Sequence, residues 1–92
     1  MKNKNIILTG GYGFIGSALI RKLIKETNAN VINIDKLTYA ANLKSLSEVE
    51  SHPRYTFIKE DICNLDSISE IFKKYKPDIV LIFNNFDLFD FV

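Results

Sequence analysis

Hydrophobic and polar positions change their period several times along this chain, and each change marks an element. Asn5-Ile6-Ile7-Leu8-Thr9 is apolar at successive positions, the pattern of a strand buried on both faces of a parallel sheet. From Ser17 to Thr27 the spacing turns helical, with Ala18, Leu19, Ile20, Leu23 and Ile24 forming a broad apolar face. Lys22 and Lys25 lie toward its C-terminal end, where the helix dipole favours positive charge. Asn28-Ala29-Asn30 interrupts the pattern, and Val31-Ile32-Asn33-Ile34-Asp35 predicts a second strand that ends on a carboxylate. Lys36 to Ser51 is less regular, with one or two helical turns expected within Asn42 to Val49. After the turn at Pro53, Tyr55 to Lys59 predicts a third strand. Ile68, Ile71, Phe72 and Tyr75 fall at i, i+3, i+4 and i+7 and predict a helix over Asp66 to Tyr75. Ser67 and Glu70 are a candidate capping box at its start, and Lys76-Pro77 stops it. Asp78 to Phe83 predicts a fourth strand.

Strands separated by helical segments imply right-handed crossovers, hence an α/β fold with a parallel sheet and helices on both faces. Composition narrows the field by exclusion. The 92 residues are 47% hydrophobic and 25% charged, with a net charge of +1, which excludes disorder and leaves no basic surplus for nucleic acid or a membrane surface. Cys63 stands alone, so no internal disulfide forms, and one His with one Cys does not make a zinc site. The longest apolar run, Ile79 to Phe83, is far short of the ~20 residues of a membrane span. Ile6-Ile7-Leu8 is too short for a signal-peptide core, and a cytoplasmic location is the default expectation.

The chemistry lies between the first strand and the first helix. Thr9-Gly10-Gly11-Tyr12-Gly13-Phe14-Ile15-Gly16 places Gly10, Gly13 and Gly16 in a G-x-x-G-x-x-G spacing. Gly10 allows the turn off the strand, Gly13 removes a side chain where a pyrophosphate approaches backbone, and Gly16 permits close helix packing. No Asp or Glu occurs between Gly10 and Ser17, so nothing there repels an anion drawn to the helix N-terminus. Asp66 and Glu70, in contrast, crowd the start of the second helix. Asp35 follows Gly16 by nineteen residues, the position from which a carboxylate accepts hydrogen bonds from adenosine ribose hydroxyls. A carboxylate there repels a 2′-phosphate and favours NAD over NADP, a preference that the neighbouring Lys36 weakens. A P-loop is excluded, because no Gly-Lys-Ser/Thr follows the glycines.

Thr-Gly-Gly-x-Gly-Phe-Ile-Gly-Ser at 9–17 resembles the extended short-chain dehydrogenase/reductase family. Asn33 through Leu43, Asp61-Ile62-Cys63 and Ile71-Phe72-x-x-Tyr75-x-Pro77-Asp78 resemble more narrowly the dTDP-glucose 4,6-dehydratases within it. The resemblance covers about residues 5–81 and implies a partial Rossmann fold of about four parallel strands in the order 3-2-1-4. It implies NAD as cofactor, with backbone at Phe14 and Ile15 on the pyrophosphate. Asp35, Lys36, Leu37 and Thr38 would then surround the adenosine ribose, and Asp61 and Ile62 the adenine. The family's reaction oxidises a nucleotide sugar at C4 onto NAD, eliminates water across C5–C6 and returns the hydride to C6. It uses a Tyr-x-x-x-Lys pair on a helix, which normally lies well beyond residue 92.

Tyr55-Thr56-Phe57-Ile58-Lys59 matches that pair in letters only. On a helix the two side chains are about 6 Å apart along the axis; on the strand expected here the spacing is about 13 Å. No catalytic residue is therefore expected in this chain. Residues 1–82 read as the N-terminal part of an NAD-binding domain. Residues 83–92, with four of the seven phenylalanines and no basic residue, read as an atypical tail from truncated or frameshifted sequence. Family members carry small residues there, against which the nicotinamide half of the cofactor lies. The expectation is a dehydratase-like N-terminal part, inactive alone, with weak or no NAD binding in isolation. It would meet a nucleotide sugar only in an intact version, and would tend to self-associate through the exposed fourth-strand edge. A stand-alone nucleotide-binding module and a non-functional truncation product are the alternatives. Cys63 is expected to pack as a small apolar residue, and His52, Lys73, Lys74 and Lys76 to face solvent.

Overall fold

The computed structural model describes residues 3–37 and 43–83. Four strands alternate with helical segments: β1 (Asn5–Thr9), α1 (Phe14–Glu26), β2 (Asn30–Asp35), a 3-10 turn (Leu43–Leu46), β3 (Tyr55–Lys59), α2 (Leu65–Tyr75) and β4 (Ile79–Ile82). All pairings are parallel, and the strand order is β3-β2-β1-β4, as expected. The register runs Ile7↔Ile32 and Ile7↔Val80 on either side of β1, and Ile34↔Ile58 between β2 and β3.

Side chains alternate across the sheet and build one apolar layer on each face. Leu8, Val31 and Tyr55 meet Ile20 and Ile24 of α1, with Leu46 and Val49 closing that layer. Ile7, Ile32 and Ile34 meet Ile71 of α2 on the other face, with Ile58, Ile68 and Tyr75 packed around them. The two central strands are apolar on both sides for this reason, whereas β4 is not enclosed. Ile79, Val80 and Ile82 remain 39%, 40% and 66% exposed. Arg54 fastens the far end of α1 to the start of β3, its guanidinium donating to the carbonyls of Ile24 (2.7 Å) and Ala29 (2.6 Å).

Three local expectations are revised. α1 begins at Phe14 rather than Ser17, because Gly13 is its N-cap in extended geometry and the Ser17 N–H already bonds the Gly13 carbonyl. Gly16, a poor helix former, hides this start from periodicity. α2 is capped by the Asn64 side chain, which accepts from the Ser67 N–H, so Ser67 is the third residue of the helix and not its cap. Cys63 is exposed, since it lies in the turn before α2 and not in the core. Thr38 and residues 84–92, including all but Phe83 of the atypical tail, lie outside the described residues.

Candidate functional site

The carboxyl ends of β1, β2 and β3 lie side by side in a parallel sheet, so the loops that follow them converge. The first loop is a tight turn. Gly10 donates to the Ile34 carbonyl at 3.0 Å, continuing the sheet, and Gly13 donates back to the Gly10 carbonyl at 3.1 Å. Gly10 has φ 73°, the left-handed region that a residue with Cβ enters at a cost. Gly16 is required by contact: a Cβ there would sit 2.4 Å from the Gly10 carbonyl oxygen. The expected close packing at Gly16 therefore occurs against the turn itself.

Beyond the turn, the N–H groups of Phe14, Ile15 and Gly16 precede the first intrahelical bond of α1. No side chain caps this end, and no acidic residue occupies its first turn. The side chains of Phe14 and Ile15 are 92% and 64% exposed, so backbone is what this surface offers a ligand. α2 differs on both counts, with the Asn64 cap and Asp66 in its first turn.

β2 supplies the wall of the turn. Asn33 and Asp35, two residues apart, point to the same side of the strand and hold consecutive loop amides. Asn33 Oδ1 accepts from Gly11 N–H at 2.9 Å, and Asp35 Oδ2 accepts from Tyr12 N–H at 3.0 Å. Asp35 Oδ1 also accepts from Leu37 N–H at 2.9 Å. Asp35 thus faces the glycine loop, as the spacing implied, but at 3% exposure it shapes that loop before it meets anything else. Leu37 takes φ 58°, a left-handed conformation unusual for a leucine and held by this bond and by packing on the α1-side core.

The third loop brings Asp61 and Ile62 alongside. Lys36 Nζ lies 3.7 Å from Asp61 Oδ2, tying the end of β2 to the end of β3. The Cys63 N–H, which donates to Asp61 Oδ1 at 2.8 Å, and secondarily Lys36, hold the Asp61 carboxyl below the usual carboxylate range. Glu60 is lowered in the same direction, chiefly by the Asp61 N–H. Ile62 is 43% exposed, an apolar surface beside these charges.

Periodicity and motif spacing missed Gly11, Asn33 and Tyr55. Asn33 is fully buried, and its Nδ2 donates to the Tyr55 hydroxyl at 3.0 Å. A polar residue amid Val31, Ile32 and Ile34 was the available signal. Burial pushes the Tyr55 phenol well above its usual range, and the strand carries Tyr55 into the core while Lys59 stays exposed. The letter match to Tyr-x-x-x-Lys is therefore structural. Among the described residues, no group of three or more His, Cys, Asp or Glu side chains is placed to hold a metal, and no helix is long and apolar enough to cross a membrane.

The sequence profile of the NAD dependent epimerase/dehydratase family matches residues 6–86. The chain belongs to that family. Its sequence is 64% identical over 77 residues to dTDP-glucose 4,6-dehydratase of Haemophilus influenzae, a match covering 84% of this chain and 23% of that enzyme. The corresponding enzyme of Neisseria gonorrhoeae is 50% identical over 78 residues, 85% of this chain and 22% of its own length. Among solved structures, dTDP-glucose 4,6-dehydratase from Bacillus anthracis in complex with NAD superposes with a TM-score of 0.84 at 33% identity. That match covers 88% of this chain and 26% of the Bacillus chain. The Streptomyces venezuelae enzyme, also with NAD bound, gives 0.78 at 32% identity over 87% of this chain and 26% of its own. The chain thus spans about a quarter of the length of these relatives, and the resemblance read from its motifs is borne out. The family match also runs into the segment set apart as a tail, to residue 86.

Proposed function

We propose that this chain provides the NAD-binding N-terminal part of a dTDP-glucose 4,6-dehydratase-like enzyme. The observation that carries this reading is the start of α1: a glycine turn leads into a helix end with no cap, no acid and three unspent N–H groups. Gly10, Gly13 and Gly16 shape that seat, and backbone at Phe14 and Ile15 holds the pyrophosphate. Asp35, Lys36, Leu37 and Thr38 take the ribose side, and Asp61 and Ile62 the adenine. Lys36 is engaged by Asp61, which leaves the carboxylate of Asp35 as the dominant charge toward a 2′-phosphate and favours NAD over NADP. In the whole enzyme, NAD supplies the acceptance and return of a hydride on a nucleotide sugar. The residues of this chain bind and orient the cofactor, and the setting we propose is the cytoplasm.

We expect affinity in isolation to be weak, with a dissociation constant on the order of 1 mM, about 4 kcal/mol of binding. Titration of the chain with NAD, ADP and NADP, followed by amide NMR, tests this. The expected result is saturable shifts at Gly11 to Ser17 and at Asp35 to Leu37, larger for NAD and ADP than for NADP. Shifts confined to other surfaces, or none, overturn the reading of the site. Micromolar affinity overturns the expectation of weak binding in isolation. The exposed apolar residues of β4 support a further part of the proposal, self-association of the isolated chain through that edge.

A further inference from the structure

Gly11 is the one loop glycine that the fingerprint spacing does not use, and the structure shows what it meets. A Cβ on Gly11 would fall 2.1 Å from Asn33 Oδ1, 2.3 Å from Cγ and 2.4 Å from Nδ2. The loop therefore lies flat against the Asn33 amide at a distance that only glycine permits. An N–H only donates, so Gly11 fixes Oδ1 toward the loop and Nδ2 toward β3. There Nδ2 meets the Tyr55 hydroxyl, and Tyr55 in turn packs beside Tyr12, whose ring stands edge-on to Phe57 at 5.2 Å and 89°. A carboxylate at 33 could pair with Tyr55 only by accepting its hydroxyl proton and would bury a net charge, and an aliphatic residue offers no acceptor to Gly11. The amide serves both at a fully buried position, where an unpaired polar group is costly.

Asn33 does not reach the surface on which a pyrophosphate would lie, since its exposure is 0% and Gly11 stands between. Its influence passes through the turn. Gly11 lies between Gly10, which accepts from Gly13, and Tyr12, which Asp35 holds, so anchoring Gly11 sets the pitch at which the chain enters α1. We infer that Asn33 is a positioning residue of the dinucleotide seat, acting with Tyr55 through the Gly11 amide to aim the free N–H groups of Phe14, Ile15 and Gly16. This rests on the NAD reading above.

Asn33→Leu keeps the side-chain volume and removes both polar contacts; Tyr55→Phe keeps the ring and removes one. Amide hydrogen exchange in the full 92-residue chain reports the local effect. Exchange at Gly11 is expected to accelerate about tenfold in Asn33→Leu and less in Tyr55→Phe, while Ile7 and Ile32 in the sheet keep their protection. NMR titrations of the same proteins report the functional effect. Asn33→Leu is expected to weaken NAD and ADP by the same factor, about tenfold, and to leave adenosine, which lacks the diphosphate, unchanged. Equal weakening of all three ligands, or loss of sheet protection in both variants, shows a general structural role and overturns the inference. So does native-like NAD affinity in Asn33→Leu. Absence of NAD and ADP binding to the native chain overturns the cofactor reading and this inference with it, whereas native binding that survives the substitution overturns this inference alone.

Discussion

Gly16 illustrates how a single residue decides whether the seat exists. Its Cα faces the Gly10 carbonyl so closely that one added methyl has nowhere to go, because both neighbours are backbone. Gly16→Ala is expected to cost about 2 kcal/mol of stability, within the range for overpacking, and to abolish the NAD-induced shifts. Urea unfolding and the NAD titration check the two parts. Tyr55 carries a pH signature. Its phenol is raised in the folded state, so the unfolded chain ionises first as pH rises. The contribution to stability is fully present below the unfolded value near pH 10 and is lost above it, as the pH climbs toward the folded value. The urea midpoint is expected to fall above about pH 10, and Tyr55→Phe to flatten that fall relative to the native chain.

Among the elements, α2 ends in a way that its sequence advertises only in part. Lys76 adopts φ 45° with its N–H on the Phe72 carbonyl, and Pro77 prevents further helix. Glycine enters this left-handed region without the Cβ penalty of lysine, about 1 kcal/mol. Lys76→Gly is therefore expected to raise stability by about 0.5 kcal/mol after the added unfolded-state freedom, read as a rise in the thermal midpoint. The strands were the most legible elements. β1 and β3 keep the bounds that their composition implied, each a five-residue β-rich segment with three apolar side chains, set off by Gly10 after the first and by Pro53 before the second. The start of α1 was less so. Helical periodicity reads side chains, while this start is set by Gly13 backbone geometry and a glycine within the first turn.

At the scale of the whole molecule, β4 is the edge of the sheet among the described residues and still shows apolar surface. Ile82, at 66% exposure, is the most open of the strand's three exposed apolar residues. A charge there blunts an edge without entering the packed layers. Ile82→Lys is expected to shift the isolated chain toward monomer in sedimentation velocity at a fixed concentration, with the fold unchanged by circular dichroism. Unaltered association would place the contact elsewhere. Both faces of the central strands, in contrast, are covered by elements of this chain, α1 on one side and α2 on the other.

The alternation of apolar runs and helical spacing determined by itself that the strands are parallel, that crossovers separate them, and that a glycine-rich turn faces a carboxylate nineteen residues on. Those features follow from local periodicity and from the handedness of β-α-β connections, which depend on neighbours along the chain. What Gly11, Asn33 and Tyr55 do was decided only by folding. They stand 22 residues apart in each step, and their contacts exist because the register of β1 on β2 and of β2 on β3 brings a loop amide, a strand amide and a phenol into one line. The same holds for Asp35, whose distance in sequence promised a ribose partner, while its burial gave it first to the Tyr12 and Leu37 amides. Spacing specifies which groups meet; desolvation and the close approach of backbone specify what each must then be bonded to.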